Sequence, residues 1–185
     1  QRPAPAEGGL FKPHRLTAVE ALPAGKIRWV RGWDLGATVG GDPTAGIKLG
    51  RMDDGRFVIA DLAHGDLPPD ERDLLLKNTA VSDGTKVKIS IPQDPGQAGK
   101  TQVLHLTRLL AGFNVVSSPE SGDKVTRAEP GNVLMVKGAW NKTLTDEMRL
   151  FPNGKHDDTI DACSRAFGEL LADRGRAARV ATGLM

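Results

Sequence analysis

The chain has 185 residues, 39% of them hydrophobic and 26% charged, with a formal net charge of +2. That length supports one domain with a sizeable core, and no stretch approaches the ~18 consecutive apolar residues of a membrane-spanning helix. The single cysteine, Cys163, excludes an internal disulfide and a zinc site built from cysteines. The mildly basic balance permits nucleic-acid binding without requiring it.

Residues 1–25 are rich in Pro, Ala and Gly without any period, so they are expected to be a linker or arm. Because the first residue is Gln1 rather than Met, we expect a piece cut from a longer protein. A domain is expected over residues 26–174, followed by a basic tail over 175–185. Within the domain, "IRWVRGWDLG" places Ile27, Trp29, Arg31 and Trp33 on one strand face and ends at Asp34. "TAGIKLGRM" and "RFVIADLAHG" are two further strands, joined through Asp53-Asp54-Gly55, where glycine supplies the positive φ of a tight hairpin. "PPDERDLLLKNTA" has prolines and acids where a helix begins.

"KVKISIPQ" alternates as a strand does, and "TQVLHLTRLLAGF" carries Val103, Leu106, Leu109 and Leu110 at helical spacing before Gly112. "NVVSS" is a short strand. After an irregular region, "HDDTIDACSRAFGELLADR" opens with acids and carries Ile160, Cys163, Phe167, Leu170 and Leu171 along one stripe. Three antiparallel strands followed by βαβ units predict an α/β fold with a mixed central sheet flanked by helices.

The segment "QDPGQAGKT" nearly reproduces a phosphate-binding loop, which needs the pattern G-x-x-x-x-G-K-[ST]. The position of the first glycine holds Asp94, whose carboxylate would face the phosphates. A P-loop ATPase is therefore disfavoured, and Asp94 becomes the residue of interest. Asp34 closes the first strand, Asp94 closes a later one, and Asp157, Asp158 and Asp161 open the last helix. Clustered carboxylates repel unless they are protonated or share a cation, and all-oxygen ligand sets suit Mg²⁺ or Mn²⁺. Plainer roles exist for four of these five residues: Asp94 before a proline as a turn former, Asp157 as an N-cap, Asp158 and Asp161 as partners of the helix dipole. Asp34 has no turn to build.

"WDLGAT", "GDPTAGIKLG", "PQDPGQAGK", "GDKVTRAEP", "GAW" and "FPNGKHDDTIDACSRAF" occur in an order that resembles the C-terminal nuclease domain of the terminase large subunit of tailed bacteriophages or prophages. The resemblance runs from about Trp29 to Leu171. It implies a ribonuclease H-like fold over residues 26–174 and metal-dependent cutting of double-stranded DNA concatemers during genome packaging. Two divalent cations, Mg²⁺ or Mn²⁺, are the implied cofactors. By this resemblance Asp34 and Asp94 match the family's strand acids. The helix acid matches the Asp157-Asp158 pair, with Asp158 favoured and Asp161 in the place of a second helix acid of resolvases, a choice left open here. The implied partners are DNA, an upstream packaging ATPase domain, the portal and the small terminase subunit, in the cytoplasm of a bacterial host and with no membrane.

Lys100, Lys124 and Arg127 are candidate DNA phosphate contacts, or ordinary surface charges. His156 is either a metal or water ligand or a solvated histidine. Trp29, Trp33 and Trp140 are expected to pack, since the chain has few aromatics and no tyrosine with which to stack bases. A second function class stands beside the nuclease: a catalytically weak module of the same fold that docks DNA or the portal.

Overall fold

The computed structural model describes residues 13–119 and 132–182, with side chains as far as residue 172. In chain order its elements are β1 (Leu16–Val19), β2 (Ile27–Asp34), β3 (Thr44–Met52), β4 (Phe57–Gly65), α1 (Pro69–Asp83), β5 (Lys88–Pro92), α2 (Gly96–Leu109), β6 (Asn114–Ser118), β7 (Val133–Val136), α3 (Asn141–Leu150) and α4 (Asp158–Thr182). The strands form one seven-stranded sheet ordered β1-β7-β4-β3-β2-β5-β6. β2, β3 and β4 are antiparallel neighbours, and β5 and β6 run parallel to β2, as the sequence predicts.

The β3–β4 hairpin turns where expected. Gly55 has φ 91° and its N–H donates to the Met52 carbonyl at 3.0 Å, a conformation that a side chain would strain.

Period-two alternation sends β2 into two cores. Trp33 faces a cluster with Leu76 and Ala80 of α1 and Leu106 of α2. Val30 faces the opposite cluster, with Ile47 and Leu49 of β3, Leu144 and Met148 of α3, and Ile160, Cys163 and Phe167 of α4. Helices thus cover both faces, which is how a sheet with parallel strands hides its backbone and apolar side chains. Leu171, assigned to the buried stripe of the last helix, is 40% exposed. The Phe57 and Phe167 rings meet with centroids 4.6 Å apart.

Gly32 sets how closely α4 approaches. A Cβ at this position would lie 2.3 Å from the Ala162 carbonyl oxygen and 2.6 Å from the Ala166 nitrogen. Helix backbone therefore rests on strand backbone, and no residue larger than glycine fits without moving the helix.

On the opposite face the buried Arg31 guanidinium holds α1 to the sheet. It donates to Asp83 through Nε (2.7 Å) and Nη2 (2.9 Å), to Asp61 at 2.8 Å and to the Gly46 carbonyl at 2.9 Å. Lys48 adds a second cation 2.9 Å from Asp83. Burial pushes the Asp83 carboxyl up, but hydrogen bonds and charge from Arg31, then Lys48, outweigh it and hold it below its ordinary range.

Four expectations need correction. Leu16–Val19, assigned to the arm, form β1 and pair in parallel with β7; a four-residue strand shows no period of its own and is fixed by a partner more than a hundred residues away. The region read as irregular contains β7 and α3. The tail begins no later element: α4 continues unbroken to Thr182, arginine and alanine being good helix formers. Asp94, expected to close its strand, lies two residues beyond the end of β5 rather than on it.

Candidate active site

Topology brings the acids named from sequence to one end of the sheet. β2 and β5 are parallel neighbours with Gly32 opposite Ser90, so Asp34 lies level with Pro92, and Asp94 follows in the loop to α2. Asp34 sits opposite Ala45 of β3, and Ala45 belongs to the α4 core, so the Asp34 side chain is on the face that α4 covers. The helix meets Gly32 at Ala162 and Phe57, near the other end of the sheet, at Phe167. It therefore runs against β2, and its first turn lies towards the Asp34 end. Asp34 is half-buried, with Oδ1 accepting from the Leu35 N–H at 3.1 Å.

The three acids of the last helix separate by role. The Asp157 carbonyl accepts from the Ile160 and Asp161 N–H groups, both at 2.9 Å, which makes it the residue that starts the helix. Asp158 is 2% exposed, and among the described residues its Oδ2 has no hydrogen-bond partner. Burial raises its pKa to about 6; the negative charges of Glu147 and Asp42 add to the rise, against a backbone hydrogen bond and His156. Asp161 stands one turn further on, half-buried.

Two groups not singled out as site residues, or only weakly, complete this end. Glu147 of α3 accepts from the Thr159 N–H at 3.0 Å and its hydroxyl at 2.6 Å, capping the first turn of α4 from twelve residues upstream. His156 Nδ1 lies 3.7 Å from both Asp42 Oδ1 and Asp158 Oδ2, and is itself buried without a hydrogen-bond partner among the described residues. Asp42 belongs to the β2–β3 connection, which Gly36 folds tightly: a Cβ there would fall 2.1 Å from the Asp42 carbonyl oxygen. No spacing rule links Asp42, Glu147 and His156, so the sequence carried no signal for their meeting.

Asp94 is exposed, as is Lys100 on α2. The glycine of "AGKT" has a packing role: a Cβ on Gly99 would lie 2.1 Å from the Asp94 carbonyl oxygen. Lys124 and Arg127 lie outside the described residues.

Among the described residues, no three His, Cys, Asp or Glu side chains are gathered closely enough to hold a metal ion. The acids share one end of the sheet without closing on a common point; like carboxylates gain nothing by doing so unless a cation lies between them. The donor chemistry nonetheless fits a hard cation: a buried Asp158 carboxylate oxygen without a hydrogen-bond partner among the described residues, with further carboxylates at the same sheet end.

The sequence matches the family model described as "Terminase RNaseH-like domain" over residues 31–170. The chain belongs to this terminase family. The terminase domain is also similar in fold to the nuclease domain of human cytomegalovirus terminase. The Mn-soaked, inhibitor-bound form gives a TM-score of 0.56 at 14% identity, covering 76% of this chain and 83% of that one. The Mn-soaked form gives 0.50 at 12%, covering 76% and 82%. No curated protein is significantly similar in sequence. The expected ribonuclease H-like fold is thus that of the terminase domain, and its fold is that of a nuclease. No described helix is long and apolar enough to cross a membrane.

Proposed function

We propose that the terminase domain is a divalent-metal-dependent endonuclease that cuts double-stranded DNA concatemers during genome packaging. The observation that carries this is the position of Asp158, buried at the Asp34 end of the sheet with one carboxylate oxygen lacking a hydrogen-bond partner among the described residues. Manganese was soaked into the similar cytomegalovirus domains, which supports a divalent cation here.

Asp34, Asp94 and Asp158 are the residues proposed to hold two Mg²⁺ or Mn²⁺ ions, with Asp157 or Asp161 as further oxygen donors. Bound there, the ions would supply charge for an in-line displacement at phosphorus and lower the pKa of a water. The protein's part is positional. Gly32 lets α4 carry Asp158 down onto the sheet, Glu147 fixes the first turn, and His156 turns a ring nitrogen towards Asp158 and Asp42. Lys100, and Lys124 and Arg127 with it, are proposed to contact DNA phosphates, positioning the duplex without reading its sequence.

We extend the proposal to the surroundings of a packaging machine: an upstream ATPase domain, the portal and the small subunit as partners, in the cytoplasm of a phage's bacterial host. In that arrangement the nuclease domain is the expected span of residues 26–174 extended at its start by β1.

The test is nicking of supercoiled plasmid with Mn²⁺ or Mg²⁺, comparing the wild type with Asp34→Ala and Asp158→Asn. Loss of metal-dependent nicking in both variants, with circular dichroism and DNA binding retained, is expected. Wild-type binding without nicking at any metal concentration would instead identify a docking module, and equal nicking by the variants would remove the aspartates from the chemistry.

A further inference from the structure

A groove of about 580 Å³ lies at the opposite end of the sheet, lined by Leu22, Pro23, Ile27, Arg28, Trp29 and Lys86, with Gly25, Lys88 and Asn114 completing it. Its walls are the first residues of β2, β5 and β6, whereas Asp34 and Asp94 stand where β2 and β5 finish. Ile27 and Asp34 are the first and last of eight strand residues, roughly 23 Å apart at about 3.3 Å per residue step. The groove is therefore not part of the candidate active site.

Its chemistry is two-sided. Leu22, Pro23, Ile27 and Trp29 supply apolar surface, and Arg28, Lys86 and Lys88 supply three cations without any acid among the lining residues. Arg28 and Lys86 are exposed; Lys88 is partly occupied, with Nζ 3.7 Å from Glu169. Large apolar side chains bordered by like charges mark a binding surface more often than a solvated face.

We infer that this groove binds an acidic protein segment, inserting an apolar side chain between Leu22, Pro23 and Ile27 while flanking carboxylates meet Arg28 and Lys86. A nucleic acid is the poorer fit. Its phosphates would gain nothing from the apolar wall, and a base has little of Trp29 to stack on. The Lys48 ammonium lies 5.4 Å from that ring's centroid, and ring atom Cζ3 is packed against Gly50, where a Cβ would be only 2.6 Å away. Charge complementarity with an apolar anchor is the pattern of peptide docking.

Fluorescence anisotropy with a short labelled peptide, a central Leu-Phe pair flanked by glutamates, tests this on the whole chain. Saturable binding is expected. It should weaken about tenfold, or 1.4 kcal/mol, in the Arg28→Glu/Lys86→Glu double variant, and by as much for wild type when Leu-Phe is replaced by Ser-Ser or the glutamates by glutamines. Short duplex DNA should not compete, and plasmid nicking by the double variant should be unchanged. Absence of binding, indifference to the Ser-Ser or glutamine peptides, or displacement of the peptide by duplex would each overturn the inference. The two peptide controls decide the matter even if the double variant folds poorly.

Discussion

Gly32→Ala is the substitution that couples the packing of α4 most directly to the candidate site. Its Cβ would stand 2.3 Å from the Ala162 carbonyl oxygen, where ordinary contact begins near 3.4 Å, and the opposing atoms include helix backbone. The shortfall is about 1 Å, and backbone cannot yield as the end of a flexible side chain can. The helix must lift or tilt, at a cost of ~1–3 kcal/mol for overpacking in a close-packed core. Asp158, one turn before Ala162, moves with it, and a misplacement of ~1 Å at reacting groups costs about 10²-fold in rate. Gly168→Ala on the same helix is the control: nothing lies within 4 Å of its Cβ, so it should leave stability unchanged or raise it by ~0.5–1 kcal/mol. Urea unfolding measures the first quantity and Mn²⁺-dependent plasmid nicking the second. Wild-type stability and nicking in Gly32→Ala would refute the close seating of α4 on β2.

Arg31→Met leaves Asp83 buried with Lys48 as its remaining cation, and should cost ~3–5 kcal/mol in urea unfolding at neutral pH. Because the folded Asp83 pKa is depressed, its contribution is present above the unfolded value near 4 and is lost as pH falls through the folded pKa; the difference between wild type and variant should narrow below about pH 4. Burial pushes the Cys163 thiol up to about 12, so at pH 8 it should react with a disulfide reagent only at the rate of unfolding; immediate reaction in the native state would contradict its place under α4. Glu147→Ala, which removes the acceptor for the Thr159 N–H and hydroxyl, should destabilise by ~0.5–2 kcal/mol, and an unchanged thermal midpoint would show that this cap carries little.

The sequence resolved those parts of the fold whose signals are local. Alternation over "IRWVRGWD", Asp-Gly at the hairpin, and the helical spacing of Val103 to Leu110 each report a period within one element. Where structure is decided by a distant partner, that signal fails: Leu16–Val19 is a strand because Val133–Val136 lies beside it. α3 begins without a first-turn acid and with no side-chain cap bond; Asn141 instead bonds back to the Val136 carbonyl and the Gly138 N–H. The same distinction runs through the candidate site. Asp34, Asp94 and Asp158 were legible as acids at element ends, and a known family pattern ordered them. The cap from Glu147 and the approach of Asp42 and His156 depend on how α3 and the β2–β3 connection pack, which no spacing records. Arg31, read only as one member of a strand face, turned out to be the buried tie between that strand and α1.

The central claim is that acids from β2, the β5–α2 loop and the start of α4 hold divalent cations together. Anomalous diffraction from a crystal soaked in Mn²⁺ measures this directly. Peaks within bonding distance of Asp34, Asp94 and Asp158 carboxylate oxygens are predicted, lost in Asp158→Asn. A well-ordered site without anomalous density, or manganese bound only elsewhere on the surface, would contradict it.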